Sequence, residues 1–110
     1  MSVADDLAAR IRRLLDGRDA ITEQWMFGGI CFMLAGNMLV CAMKGGELLV
    51  RVPPGLADEA MAQSGAAPMR MGTREMKGFI GVTGPAIDDD AAIAGWIAFA
   101  EPHVRTLPKK

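Results

Sequence analysis

The side chains able to do chemistry are few and scattered. Cys31 and Cys41 are the two cysteines, and they form no CxxC motif. They flank Gly36-Asn37, a pair suited to a tight turn with positive φ, so both thiols fall on the strands of one hairpin. A two-residue loop there would pair odd positions with even ones and point the thiols to opposite faces. A three-residue loop would set them directly opposite, where a bridge needs Cβ atoms about 4 Å apart. The simplest reading is two buried apolar thiols, and gentle oxidation is expected to form no intramolecular disulfide. His103 is the single histidine. Without a second His or a CxxC it lacks the companions of a zinc site, and near a helix end it is expected to complement the C-terminal dipole.

Arg70, Arg74 and Lys77 form the densest basic cluster, with Arg51 a candidate neighbour. Together they are a candidate docking patch for an acidic partner or nucleic acid. Glu75 interrupts the cluster, and no aromatic residue stands nearby for base stacking, so a solvated loop competes with that reading and direct nucleic-acid binding is not expected. Gly28-Gly29 and Gly45-Gly46 lead into strands, whereas a phosphate loop needs a helix N-terminus after its glycines; both pairs read as turns. Asp88-Asp89-Asp90 lacks the spacing of a calcium loop and reads as a helix cap at Asp88 with two acids in the first turn. The serines and threonines show no elbow or triad pattern. No catalytic residue, cofactor site or metal site is assigned.

Any such residues must be positioned by a small fold. The chain has 110 residues, 51% of them hydrophobic and 23% charged, with a net charge of −1, which fits one ordered domain and not a strongly basic nucleic-acid binder. The N-terminus carries Asp5 and Asp6 and lacks the pattern of a signal peptide. Met26 to Met43 has no charge, but glycines and Asn37 interrupt it at strand-length intervals, so it reads as a hairpin rather than a membrane span. With no secretory signal, a cytoplasmic protein with reduced thiols is expected.

Val3 to Leu15 has the stripe of an amphipathic helix, ended at Gly17. Ile21 to Met26 leads into the sheet. Strands are expected at Ile30 to Ala35, Met38 to Met43 and Leu48 to Val52, with Gly36-Asn37 and Gly45-Gly46 as the turns and Lys44 opposite Glu47. Pro53-Pro54 breaks the sheet. A short helix follows at Leu56 to Gln63 with Leu56, Ala60 and Met61 inward, then strands at Met69 to Met71 and Lys77 to Val82. The last helix runs from Asp89 to about His103 with Ile93, Trp96, Ile97 and Ala100 inward. It kinks or ends at Pro102, and the tail after it is expected to be loose. The order is helix, three strands, helix, two strands, helix, an α+β class with an antiparallel sheet.

Several of these stretches together resemble the N-terminal domain of the TfoX/Sxy competence-regulator family. They are Met26-Phe27-Gly28-Gly29, Gly36-Asn37-Met38, Gly46 to Val52, Gly65 to Pro68, Met76-Lys77-Gly78-Phe79 and the small-residue helix around Trp96. The likeness spans nearly the whole chain, as one TfoX N-terminal-like domain over residues 1–110. It implies a two-layer, secretion-chaperone-like α+β domain of a kind that often dimerises. Full-length members regulate genes for DNA uptake and carry a second domain. The family supplies no catalytic residues to carry over.

Two of the strands are apolar at nearly every position, so both faces of the sheet need cover. Three short helices cover one. A homodimer is therefore expected, with Phe32, Leu34, Leu39 and Cys41 as a candidate dimer or packing face. The expected function is a non-catalytic regulatory or protein-interaction module of the transcriptional or competence type, with an unidentified protein partner and no membrane. The alternatives are a small-molecule binder with a methionine-lined pocket and an enzyme of unrecognised type.

Overall fold

Local patterning fixes the first helix. In the computed structural model, which describes residues 3–26, 28–71 and 73–109, with the side chains of Met71 and Arg74 outside that description, α1 spans Val3–Leu14. It buries Ala4, Leu7, Ala8 and Ile11 on one stripe, with Asp5 and Asp6 in its first turn and Arg12 and Arg13 in its last, the order the helix dipole favours. Four strands follow: β1 Ile21–Met26, β2 Gly29–Leu34, β3 Asn37–Met43 and β4 Leu48–Arg51. After α2 (Ala57–Met61) come β5 Ala66–Met71 and β6 Arg74–Val82, a short 3-10 turn at Gly84–Ile87, and α3 Asp90–Thr106. The sheet is antiparallel throughout, in the order β1-β2-β3-β4-β6-β5. The α+β class holds. The count of three strands before the middle helix becomes four, because Ile21–Met26 pairs with β2 along its whole length.

The β2–β3 hairpin turns at Ala35 (φ 52°) and Gly36 (φ 84°), both left-handed, as in a two-residue turn that matches strand twist. This is one residue earlier than expected. Asn37 opens β3 instead; it is buried, and its Nδ2 donates to the Pro108 carbonyl at 2.8 Å. That bond fastens the C-terminal tail that was expected to be loose. The register starts at Leu34↔Asn37 and Met33↔Met38, then shifts to Phe32↔Val40 and Cys31↔Cys41. Leu39 is the unmatched residue of a β-bulge. The next loop has three residues, Lys44 to Gly46. The Met43 N–H donates to the Glu47 carbonyl, so Met43, not Lys44, stands opposite Glu47. Gly46, at φ 95°, supplies the left-handed residue that such a loop requires.

All three helices pack on one side of the sheet. There Ile11 and Leu15 from the α1 side, Ile93, Ile97 and Val104 of α3, and Ala60 of α2 close over Phe32, Leu39, Val40, Leu48, Val50 and Val82. Each fully buried aliphatic or aromatic side chain of this kind contributes about 1.5–3 kcal/mol. The inner stripe of α3 is as expected, with Ile93, Trp96, Ile97 and Ala100 buried. Its cap is Asp89, whose carboxylate accepts from the Ala92 N–H at 2.8 Å. Asp88, the expected cap, closes the 3-10 turn instead. Pro102 lies inside the helix, which runs on to Thr106. In α2, Ala60 is buried and Leu56 packs against the core, but Met61 is exposed.

The other face is covered by the chain itself. Cys31, Met33, Met38, Cys41, Met43 and Leu49 form a second buried cluster, with Met26, Met69, Met76 and Phe79 packed on it. Gly29 and Gly81 leave flat places in this face: a Cβ on Gly29 would meet the Met43 sulfur at 3.1 Å, and one on Gly81 the Met69 sulfur at 3.4 Å. β6 carries Gly78 at φ 82°, and its register with β5 shifts between Pro68↔Ile80 and Arg70↔Glu75. This irregularity brings Met69 and Met76 from the sheet edge onto the cluster. Six of the nine methionines thus replace a second helical layer. Unbranched thioether side chains suit such an irregular surface.

Candidate functional site

The two edges of the sheet differ. β5 carries Pro68, which has no N–H to offer, and the exposed Arg70; α2 lies against it. These are the usual guards of an edge strand. β1 has no proline and no lysine, and Thr22, Glu23, Gln24 and Trp25 are all exposed. Trp25 is 69% exposed, the most open of the large hydrophobic residues described. Register places Ile21, Glu23 and Trp25 opposite Leu34, Phe32 and Ile30, hence on the helix side. The Arg12 guanidinium reaches from α1 and donates two hydrogen bonds of 2.6 Å to Glu23. Those bonds hold the Glu23 carboxyl below its ordinary pKa against the opposing effect of partial burial, and they raise that of Arg12. Beyond this clamp, Trp25 is left largely open to solvent.

At the centre of the second face, Cys31 and Cys41 stand directly opposite each other, with Cα atoms 4.0 Å apart, and are joined as a disulfide. This corrects the expectation of two unbridged thiols. The turn has two residues, the length that would have separated them, but the Leu39 bulge shifts the register by one and brings them together. Both are fully buried. Cys31 Sγ lies 3.7 Å from the Met26 carbonyl oxygen, and its register neighbour on β1 is Gln24.

The other candidate residues separate. Phe32, Leu34 and Leu39 belong to the helix-side core and Cys41 to the opposite cluster. All four are at most 3% exposed, so they serve packing and present no common face to a partner. Of the basic residues, Arg51 is half-buried on the sulfur-rich side: its guanidinium lies 5.5 Å from the Phe79 ring centroid and donates to the Met38 carbonyl. Arg70 is exposed opposite Glu75, and Lys77 shares a cleft with the same Glu75. The Arg74 side chain lies outside the described residues. The described cations therefore stand beside an acid or an aromatic ring. Asp90 is engaged by Arg10 at 3.0 Å, and His103 lies in the last turn of α3. Among the described residues, no group of three or more His, Cys, Asp or Glu could hold a metal ion, and no helix is long and apolar enough to cross a membrane.

A groove of about 590 Å³ runs between α2 and α3, with Ala60, Gln63, Gly95, Trp96 and Phe99 among its walls. Trp96 and Phe99 meet edge to face there, ring centroids 5.8 Å apart.

The family model of the TfoX N-terminal domain matches residues 13–102. The chain belongs to this family. The match begins within α1 and ends within α3, so every strand of the TfoX domain described above falls inside it. Neither a curated protein nor a solved structure matches the chain. Sequence reasoning missed the open β1 edge of this TfoX domain, the bulge that joins its cysteines, and the Asn37–Pro108 tether. For the edge a signal was present: Ile21 to Met26 alternates weakly and contains no proline or lysine. For the bulge there was none, because both faces of β3 are apolar and one extra residue leaves no mark in the pattern.

Proposed function

We propose that this TfoX N-terminal domain is a non-catalytic interaction module of a cytoplasmic regulatory protein, and that it pairs with a second copy of itself through β1. The observation that carries the reading is the unguarded edge at Ile21–Met26 with Trp25 exposed beside it. A free strand offers backbone donors and acceptors to another strand, and an exposed tryptophan supplies apolar contact area. Two β1 strands related by a two-fold axis meet antiparallel, the geometry this sheet uses throughout. Family membership supports a role in gene regulation of the competence type. A second reading, a small-molecule binder, draws on the α2–α3 groove, whose volume lies in the range of ligand sites; the methionines pack against each other and do not line it.

Size-exclusion chromatography with light scattering at micromolar concentration tests the first reading. The wild-type chain is expected at twice its monomer mass, and the double variant Gln24→Lys, Trp25→Lys at monomer mass with unchanged circular dichroism. A wild-type chain that stays monomeric across the concentration range sinks the self-pairing.

A further inference from the structure

We infer that Cys31 and Cys41 form a reversible dithiol–disulfide couple, reached through the β1 edge, with small thiols as reductants and peroxides as oxidants. This inference concerns the unpaired chain, because the self-pairing proposed above would cover the same β1 edge. Three observations carry it. First, the crosslink spans a sequence separation of only 10, inside a hairpin whose ladder and turn already hold both strands. A disulfide stabilises chiefly by constraining the unfolded chain, and least where the loop it closes is as short as this one. Second, the sulfurs meet only because the Leu39 bulge interrupts the ladder, and bulges recur where a side chain must be re-aimed. Third, Cys31 adjoins the strand with the least cover. Thr22 to Trp25 are exposed, and strands with few buried contacts open at low cost. Lifting β1 removes Gln24 and Met26 from beside Cys31 while β3, bonded on both sides, stays in place.

The chemistry balances with these reactants. A thiolate attacks Cys31 Sγ, the sulfur–sulfur bond breaks, and Cys41 leaves as a thiolate that takes up a proton. A second thiolate then releases Cys31 and carries away the small disulfide, so two electrons and two protons enter the protein. In the reverse direction one thiolate attacks a peroxide oxygen, forming a sulfenic acid and releasing one water. The other thiol then displaces the second water as the disulfide closes.

The test uses the native wild-type chain, equilibrated with graded mixtures of reduced and oxidised dithiothreitol, labelled with iodoacetamide and weighed intact. Two labels are expected to appear together in a single transition and to be absent when the reduced chain is treated with hydrogen peroxide before labelling, and reduction is expected to leave the circular dichroism unchanged. Labelling that requires urea would mark a sealed structural staple and overturn the couple. So would one label alone, or two thiols that still react after peroxide. Arg12→Ala frees the β1 clamp and is expected to speed reduction about threefold, in line with the strength of an exposed ion pair. An unchanged rate would overturn the route through β1.

Discussion

At the scale of single residues, strain and charge are visible at a few positions. Ala35 holds φ 52° in the β2–β3 turn, where a side chain with a Cβ costs about 1 kcal/mol and Asn-Gly is the preferred pair. Ala35→Asn is therefore expected to raise stability by about 0.5–1 kcal/mol, read as a higher urea midpoint at unchanged slope. Glu101 is 14% exposed and accepts from Arg18 at 3.1 Å and from Arg105. Burial opposes its ionisation, but the hydrogen bonds from Arg105 and Arg18 outweigh that and hold its carboxyl below the ordinary value. A lowered folded-state value means that the ionised form favours the fold. The stabilisation is complete above the ordinary carboxylate pKa and is lost as pH falls through the lower folded value. Glu101→Gln should cost about 1 kcal/mol at neutral pH, and its melting curve should converge on that of the wild type in acid. A gap that persists undiminished at pH 3 would show that the carboxylate charge is not the cause.

At the scale of elements, the helices were legible because their signals are local. A 3.6-residue stripe and acidic first turns mark α1 and α3 within a dozen residues. The one-residue slip of the α3 cap came from the preceding 3-10 turn, which claims Asp88. The strands were less legible. Phase is read from alternation, and β2 and β3 are buried on every residue, so neither the bulge nor the pairing of the cysteines could be read from their pattern. Pro102 shows the limit of a local rule: proline ends isolated helices, yet here packing of Ala100 and Val104 against the core carries α3 past it. The penalty remains, since the Ala98 carbonyl four residues back has no N–H to accept from at position 102. Pro102→Ala, at an exposed position, is expected to stabilise the domain by about 1–3 kcal/mol, seen as a raised melting temperature.

At the scale of the whole molecule, the sequence correctly demanded cover on both sides of the sheet but did not identify it. Five strands and three helices alone would leave one face of the sheet for a partner. A sixth strand and an irregular β6 change the geometry, and side chains as pliable as methionine let the chain close its second face without another layer. Among the described residues, what remains open is an edge rather than a face, and of the two edges it is β1. Pro68 and Arg70 guard β5 at the far side of the sheet. The proposed two-fold pairing through β1 would consume the unguarded border of each chain and turn a guarded border outward at both ends. The twelve-stranded sheet of that proposed dimer would have nowhere left to grow: its outer strands would be terminators, and assembly would stop at two copies instead of running on into a fibre.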